Sequence, residues 1–244
     1  MRQSTANPTA RADIRRWPLD PSTAHLVLLD VHMEPSSESI DEWVRRAFES
    51  PGIERIRTGA LFPGAAGAFA SHGFVEADRL ALLERALHEP SHAAAPLGLA
   101  TSRLGNRHLT IAANIDAASF PDGWRHDAAS LREIATATPQ SRRRLVTLTS
   151  GRRSSPRGPV GFAITGRAGP NGYLQRIAVH PDARRHGAAT LLVTDALDWL
   201  VRRGARRAMV NTGITNTAAL DLYRRSGFER LVDDLVVVEL TRSA

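Results

Sequence analysis

Residues 177–190 read Ile-Ala-Val-His-Pro-Asp-Ala-Arg-Arg-His-Gly-Ala-Ala-Thr, and this stretch decides the fold. It begins at the end of a run, 173–179, that predicts a strand, and it leads into apolar side chains at helical spacing over 190–203. The turn between them is rich in small residues, so backbone N–H groups and the positive end of the helix dipole can approach an anion. We therefore predict a phosphate or pyrophosphate seat, to which Arg184 and Arg185 add charge-assisted hydrogen bonds.

The sequence around this turn alternates between strand-like and helix-like segments and predicts an α/β domain over residues 95–244. The predicted strands are 95–103, 144–149, 159–166, 173–179, 208–212 and 231–240. The predicted helices are 109–119, 127–138, 190–203 and 216–226. A short loop, Phe-Pro-Asp-Gly-Trp at 120–124, joins the first two helices. It is either a specificity loop, or Trp124 closes the core.

A second motif lies downstream, where residues 216–228 read Asn-Thr-Ala-Ala-Leu-Asp-Leu-Tyr-Arg-Arg-Ser-Gly-Phe. Together with Arg-Arg-His-Gly-Ala-Ala at 184–189, it resembles the GNAT family of acetyl-CoA-dependent N-acetyltransferases. The family signatures are Gln/Arg-x-x-Gly-x-Gly/Ala and Asn-x-x-Ala-x-x-Leu-Tyr-x-x-x-Gly-Phe. The run Ile-Ala-Val-His-Pro at 177–181 is similar to the ribosomal-protein alanine acetyltransferase branch. The resemblance implies the GNAT fold, a mixed central sheet flanked by helices.

The resemblance also implies roles for individual residues. Backbone groups at the strand end would pair with the pantetheine arm of acetyl-CoA, namely those of Ile177, Ala178 and Val179. The turn and first helical residues would hold the pyrophosphate, namely Arg184, Arg185, His186, Gly187, Ala188, Ala189 and Thr190. Asn216 would contact the cofactor arm, and Tyr223 would protonate the departing thiolate. A thiol pKa of roughly 8.5 and a tyrosine pKa of roughly 10 make that transfer plausible in a dry site.

The implied reaction is direct attack of a free amine on the thioester, which needs no enzyme nucleophile and agrees with the absence of cysteine. One position departs from the alanine acetyltransferase pattern, because Asn211 stands where that branch has a glutamate base. No base is assigned; Gln175, Asn211 and His180 are candidates to orient a water. The acceptor stays open between a protein N-terminus, a lysine side chain, a polyamine and an antibiotic amine. The alternative function is a CoA-binding regulatory or interaction protein.

The N-terminal region resembles half of this domain, since residues 43–84 echo residues 199–238. Thr58-Gly, Phe69 and Gly73-Phe match Thr212-Gly, Tyr223 and Gly227-Phe with one common separation of 154 residues (223 − 69). The half-copy predicts helices at 41–48 and 64–71 and strands at 54–58 and 79–87. It has phenylalanine in place of the tyrosine and lacks a pyrophosphate loop. We predict a degenerate, catalytically silent half-domain over residues 23–90.

Composition limits the other function classes. All 32 basic residues are arginine, and the net charge of +7 with a pI near 11.2 fits a genome-wide bias better than nucleic-acid binding. RNA or ribosome association through the arginine surface is the weakest of the three hypotheses. The polar segment 1–22 predicts a disordered tail, and the chain has no apolar run long enough to cross a bilayer. These features, with the lack of cysteine, favour a cytoplasmic location.

One group of possible metal ligands occurs in the N-terminal region. Asp30, His32 and Glu34 alternate on an expected strand and would share one face of it. We interpret them as a polar strand face and predict no metal.

Overall fold

The computed structural model describes residues 10–30, 32–89, 98–149 and 158–242. They divide into two compact units, one with residues up to 82, 211–215 and from 231 onward, and one with 83–210 and 216–230. The strands are β1 (Ala12–Trp17), β2 (Asp20–Leu28), β3 (Arg55–Thr58), β4 (Val75–Ala86), β5 (Leu99–Arg103), β6 (Gln140–Leu148), β7 (Pro159–Ala168), β8 (Asn171–Val179), β9 (Arg207–Gly213), β10 (Glu229–Arg230) and β11 (Leu235–Thr241). The helices are α1 (Ser37–Glu49), α2 (Pro63–Ala70), α3 (Leu109–Ser119), α4 (Ala128–Thr136), α5 (Ala188–Arg202) and α6 (Thr217–Arg225).

The N-terminal unit orders its strands β1-β2-β3-β11-β4, with β2 and β3 parallel and the other pairs antiparallel. Its apolar core lies between this sheet and helices α1 and α2. Trp43 of α1 stacks on Phe69 of α2 at a ring distance of 6.3 Å, and Phe69 meets Phe74 edge-on at 5.0 Å. The side chain of Phe69 is fully buried, so this aromatic group anchors the helical layer.

The C-terminal unit orders its strands β4-β9-β8-β7-β6-β5, with β10 beside β4. Strands β8 and β9 are parallel, whereas β5, β6, β7 and β8 pair antiparallel, so the sheet is mixed. Helices α3 and α4 pack on one face through Leu109, Ile115 and Leu131, and α5 packs on the other through Ala188 and Leu192. The predicted α/β class with a mixed sheet flanked by helices is confirmed.

Local sequence signals explain most of the boundaries. The side chain of Ser36 accepts a hydrogen bond from the N–H of Ser39 and starts α1, and Asp127 does the same for α4 through Ser130. The centre of β7 is buried on both faces over residues 161–166, which is why its sequence is almost continuously apolar or small. The predicted helix at 109–119 coincides with α3.

The predicted disordered tail is wrong from residue 12 onward. Strand β1 pairs with β2 in register from Ala12 opposite Leu28, and β2 begins at Asp20. Ala12 and Ile14 pack against the core of the N-terminal unit, and Trp17 is buried with its ring edge-on to His25 at 4.5 Å. An alternation of apolar and charged residues therefore outweighs the polar composition. Residues 1–9 lie outside the described residues.

The predicted domain limits of 23–90 and 95–244 also differ from the compact units. The last strand, β11, pairs antiparallel with β3 and β4 inside the N-terminal unit. The end of β4, from Leu83, belongs to the C-terminal unit, where Glu84 pairs with Glu229 of β10. Each unit therefore contains a strand from the other part of the chain. A single domain boundary near residue 90 cannot separate the two units. Residues 91–94, between the two predicted domains, lie outside the described residues.

The expected polar strand face at Asp30, His32 and Glu34 does not form. Strand β2 ends at Leu28, and Asp30 follows in a bend where its carboxylate takes a bidentate hydrogen bond from Arg11 at 3.1 Å. The ring of His32 packs on Phe62 at 4.9 Å. The three side chains therefore do not share a strand face.

Candidate active site

The turn before α5 has the backbone geometry of an anion-binding site. Arg185 and Gly187 both have left-handed backbone conformations, with φ of 64° and 83°. Gly187 is the N-cap of α5, and no side chain caps this helix. The first intrahelical bond runs from the N–H of Leu191 to the carbonyl of Gly187. The N–H groups of the first helical turn thus have no intrahelical acceptor and point toward the open end, where an anion is favoured.

The arginine and histidine side chains of this turn make contacts with backbone carbonyl groups or extend into solvent. Arg184 lies close to two carbonyl oxygens, with Nε 3.4 Å from that of Val179 and Nη2 3.5 Å from that of Ser119. The Nδ1 atom of His186 lies 2.8 Å from the carbonyl oxygen of Arg184. Arg185 is exposed. Both arginines are exposed, and Arg184 also links the turn to the end of β8.

Strand β8 leaves its partner β9 early. Their parallel pairing covers only Asn171–Tyr173 opposite Arg207–Met209. Against β7 the register shifts between Ile164 and Thr165, which makes Gln175 an extra residue in a β-bulge. Beyond the bulge, one edge of β8 no longer pairs with β9. An extended ligand can hydrogen-bond to such an edge.

The three residues at the end of β8 that are predicted to meet the pantetheine arm differ in the direction of their backbone N–H and C=O groups. The N–H of His180 bonds to the carbonyl of Val160 on β7, so Ala178, two residues earlier, also directs its backbone groups to β7. Ile177 and Val179 direct theirs to the opposite edge. The Val179 carbonyl already accepts a bond from the Ser119 hydroxyl at 3.1 Å. The geometry therefore fits the predicted contact best at Ile177 and at the N–H of Val179.

Helix α6 positions the second motif. Asn216 caps the helix, its side-chain oxygen accepting from the N–H of Ala219 at 3.2 Å. Tyr223 is buried, with its ring edge-on to Phe228 at 5.7 Å, and Gly227 with φ of 78° turns the chain so that the Phe228 N–H bonds to the Tyr223 carbonyl. Burial raises the pKa of the Tyr223 hydroxyl to about 12, although the positive charge of Arg176 acts in the opposite direction. Tyr223 is therefore protonated at neutral pH, as an acid must be.

A buried ion pair that the sequence analysis missed lies beside this tyrosine. Asp116 of α3 has no exposed surface and takes two hydrogen bonds from Arg176 of β8, at 2.6 and 2.8 Å. Arg176 also donates to the Trp124 carbonyl at 2.6 Å and covers the ring of Phe120 at 3.5 Å. The N–H of His126 completes the group, donating to Asp116 at 2.8 Å. The pair therefore fixes loop 120–126 against β8.

A sequence signal for this pair existed. Asp116 occurs on the apolar face of α3 beside Ile115, and Arg176 occurs two residues before Ala178, which packs in the same core as α3. Charges at inward positions require partners. Trp124 contributes its carbonyl to the pair, which ties loop 120–124 to the strand. Burial and the charge of Arg176 lower the pKa of His126 to about 4, against an opposing effect of Asp127.

The three residues considered for orienting a water have separate environments. The Oε1 atom of Gln175 is buried without a hydrogen-bond partner among the described residues. His180 accepts a bond from the N–H of Asp182 at 3.4 Å. Asn211 is exposed in β9. The geometry brings together the α5 N-terminus, the free edge of β8, Tyr223 and Arg176 within one unit, and it selects no base.

Comparisons with known proteins agree with this geometry. A model of the Acetyltransferase (GNAT) family matches residues 110–228. The N-alpha-acetyltransferase 30 of Saccharomyces cerevisiae is 40% identical over 60 residues, which are 25% of this chain and 34% of that protein. The aligned segment thus spans about a third of the relative's length.

Solved structures share the fold over almost the whole chain. A GCN5-related N-acetyltransferase from Sphaerobacter thermophilus superposes with a TM-score of 0.65 at 15% identity, covering 96% of this chain and 76% of that one. A tandem GNAT protein from the clavulanic acid biosynthesis pathway gives 0.66 at 14% identity, with 91% and 76% covered. Within the described ranges, no helix reaches the length and hydropathy that crossing a membrane requires. The family model therefore matches a little under half of this chain, and the solved structures show that its fold is the fold of GNAT proteins.

Proposed function

We propose that the C-terminal unit is an N-acetyltransferase that moves an acetyl group from acetyl-CoA to a primary amine. The observation that carries the proposal is the uncapped N-terminus of α5 beside the unpaired end of β8, with a buried, protonated Tyr223 in the same unit. The open N–H groups fit a pyrophosphate, and the β8 edge fits the amide groups of a pantetheine arm. We expect one CoA per chain, bound at residues 184–190.

The chemistry requires positioning more than reactive side chains. The amine nitrogen attacks the thioester carbon, the new C–N bond forms, and the C–S bond breaks. Tyr223 gives its proton to the departing sulfur and later regains one from solvent, while the amine loses its proton to water. N–H donors along β8 would stabilise the oxyanion, and alignment of the two substrates supplies much of the rate.

The acceptor is proposed only as a class. An amine of a small molecule or an amino group of a peptide or protein fits the reaction. The Saccharomyces relative is named as an N-alpha-acetyltransferase, which supports an α-amino group, although the shared segment is about a third of its length.

A second candidate function is supported by Asn211, which replaces the glutamate base of the alanine acetyltransferase branch. In that case the protein binds CoA for regulation or interaction and transfers no acetyl group. Incubation with acetyl-CoA and a panel of amines and peptides separates the two. Acetyl transfer supports the enzyme, whereas CoA binding without transfer across the panel supports the regulator.

The N-terminal unit is proposed to be a degenerate half-repeat without catalysis. Its helix α2 ends as α6 does, with Gly73 at φ of 81° and the Phe74 N–H directed to the Phe69 carbonyl at 3.4 Å. Phe69 meets Phe74 edge-on, as Tyr223 meets Phe228. Phe69 has no acidic proton and is fully buried, so the shared geometry serves packing there.

A further inference from the structure

The guanidinium of Arg176 has unused hydrogen-bonding capacity. Its Nε donates to Asp116, and its Nη2 donates to Asp116 and to the Trp124 carbonyl. The remaining terminal nitrogen, Nη1, makes no hydrogen bond to any described residue and still carries two N–H groups. It is not sealed in the core, because the buried polar atoms without partners in the described part of the chain belong to His108, Arg167 and Gln175.

The guanidinium of Arg176 lies on strand β8 against loop 120–124, where it contacts the Trp124 carbonyl and the Phe120 ring. Arg176 follows the β-bulge at Gln175, and its charge acts on the ionisation of both Tyr223 and His126. Only 9% of its side chain is exposed, so the charge is poorly screened by water. Its other contacts hold it in place, since Asp116 grips one edge and Phe120 covers one face. A rigid, partly desolvated N–H pair of this kind is suited to an oxygen of a ligand.

We propose that Nη1 of Arg176 hydrogen-bonds a carbonyl or carboxylate oxygen that lies close to the reacting amine of the acceptor. This inference rests on the proposed acetyltransferase function and narrows its acceptor class. An α-amino group has a carbonyl one carbon away and satisfies the N–H pair. A lysine side chain or a polyamine brings no such oxygen and, in a polyamine, adds positive charge beside Arg176. Arg176 is thus a specificity-determining residue that selects α-amino groups.

The test compares three acceptors with the full chain. They are lysine-free peptides with a free N-terminus, the same peptides blocked at the N-terminus with one lysine added, and spermidine. Values of kcat/KM are expressed per free amine, because the pKa values of roughly 8 and 10.4 for α- and ε-amino groups otherwise distort the comparison. We expect the free N-termini to be favoured at least about tenfold, the size of one good charge-assisted hydrogen bond.

The decisive readout is how Arg176→Lys changes that preference, since the amine pKa cancels between two enzymes. Lysine keeps a cation for Asp116 but cannot bind it in the same bidentate way and also reach the acceptor. The preference for free N-termini should fall about tenfold, because kcat/KM for free N-termini should fall about tenfold further than kcat/KM for lysine peptides and spermidine, and the Kd for CoA should change little. Arg132→Lys, at an exposed position on α4, is the matched control. If Arg176→Lys does not fold, the pair Arg176→Gln with Asp116→Asn removes both buried charges together.

The outcomes separate the two levels of the argument. Transfer to lysine peptides or spermidine as efficient as to free N-termini, or a preference unchanged in the Arg176 variants, overturns the role of Arg176 while leaving the acetyltransferase intact. Absence of transfer to all three acceptors, with CoA still bound, contradicts the acetyltransferase function itself.

Discussion

At the scale of single residues, the buried pair of Arg176 and Asp116 has the largest energetic consequence. Asp116 has no contact with water, so removing its carboxylate leaves a poorly solvated arginine without its counter-charge. Asp116→Ala should lower the free energy of unfolding by about 3–5 kcal/mol, measured by urea denaturation. Asp122→Ala is the control, because its carboxylate pairs with Arg125 but is 88% exposed, and a change of about 0–1 kcal/mol is expected there. Equal losses in both variants would refute the account of the buried pair.

His126 gives a prediction on pH. Its pKa is about 4 in the folded chain and about 6.5 in the unfolded chain. Between about pH 6.5 and about pH 4, the imidazole is therefore protonated in the unfolded state but largely neutral in the folded state. This group therefore costs stability progressively as the pH falls from about 6.5 to about 4, and it contributes no cost above that window. His126→Gln should flatten the pH dependence of the free energy of unfolding between pH 7 and 5. An equally steep dependence in the variant would show that other groups cause it.

Sequence alone could name Tyr223 and the 184–190 turn because their motifs are local. It could not pair Arg176 with Asp116, since 60 residues separate them and only the packing of α3 on β8 brings them together. The Ser119 hydroxyl on the Val179 carbonyl is of the same kind. Long-range pairs of polar groups require the fold before they can be assigned.

At the scale of elements, the proposed CoA site at the start of α5 depends on the backbone conformation of Gly187. Gly187 at φ of 83° lets the chain enter the helix with its first N–H groups open. Gly187→Ala should destabilise the fold by about 1 kcal/mol and also weaken CoA binding several-fold, measured by calorimetry. Gly169→Ala is the matched control, because Gly169 also has a positive φ of 56° and nothing lies within 4 Å of an added Cβ. That variant should lose similar stability and keep its CoA affinity, whereas an equal loss of affinity would exclude a local role for Gly187.

Periodicity predicted most helices and strands within a few residues, and it failed where composition or connectivity mattered more. Strand β1 was missed because the first 22 residues are mostly polar and include several arginines and prolines, although Ala12 and Ile14 alternate toward the core. Strand β11 was predicted as an element, but its partners β3 and β4 lie about 160 or more residues earlier in the chain. A sequence pattern predicts that a segment is a strand, but it does not predict which strand pairs with it.

At the scale of the whole molecule, a helix in each unit ends with an edge-on aromatic pair. The two pairs differ in the hydroxyl group that Tyr223 has and Phe69 lacks. Phe69 lacks the hydroxyl of Tyr223 and is sealed among Trp43 and Phe74. Phe69→Tyr would bury a hydroxyl in that core, which should cost about 1–3 kcal/mol and add no acetyl transfer, even in a chain that also carries Tyr223→Phe. A gain of activity in the double variant would show that the N-terminal unit is a latent catalyst and not a silent half-repeat.

The central claim is that a protonated, buried Tyr223 acts as the acid for a thioester held at the start of α5. The most direct test measures kcat for Tyr223→Phe together with the Kd for CoA. The ring and its packing on Phe228 are preserved, so we expect kcat to fall about 100-fold or more while the Kd changes less than about twofold. A variant that turns over at the rate of the natural chain would contradict the claim and remove Tyr223 from the mechanism.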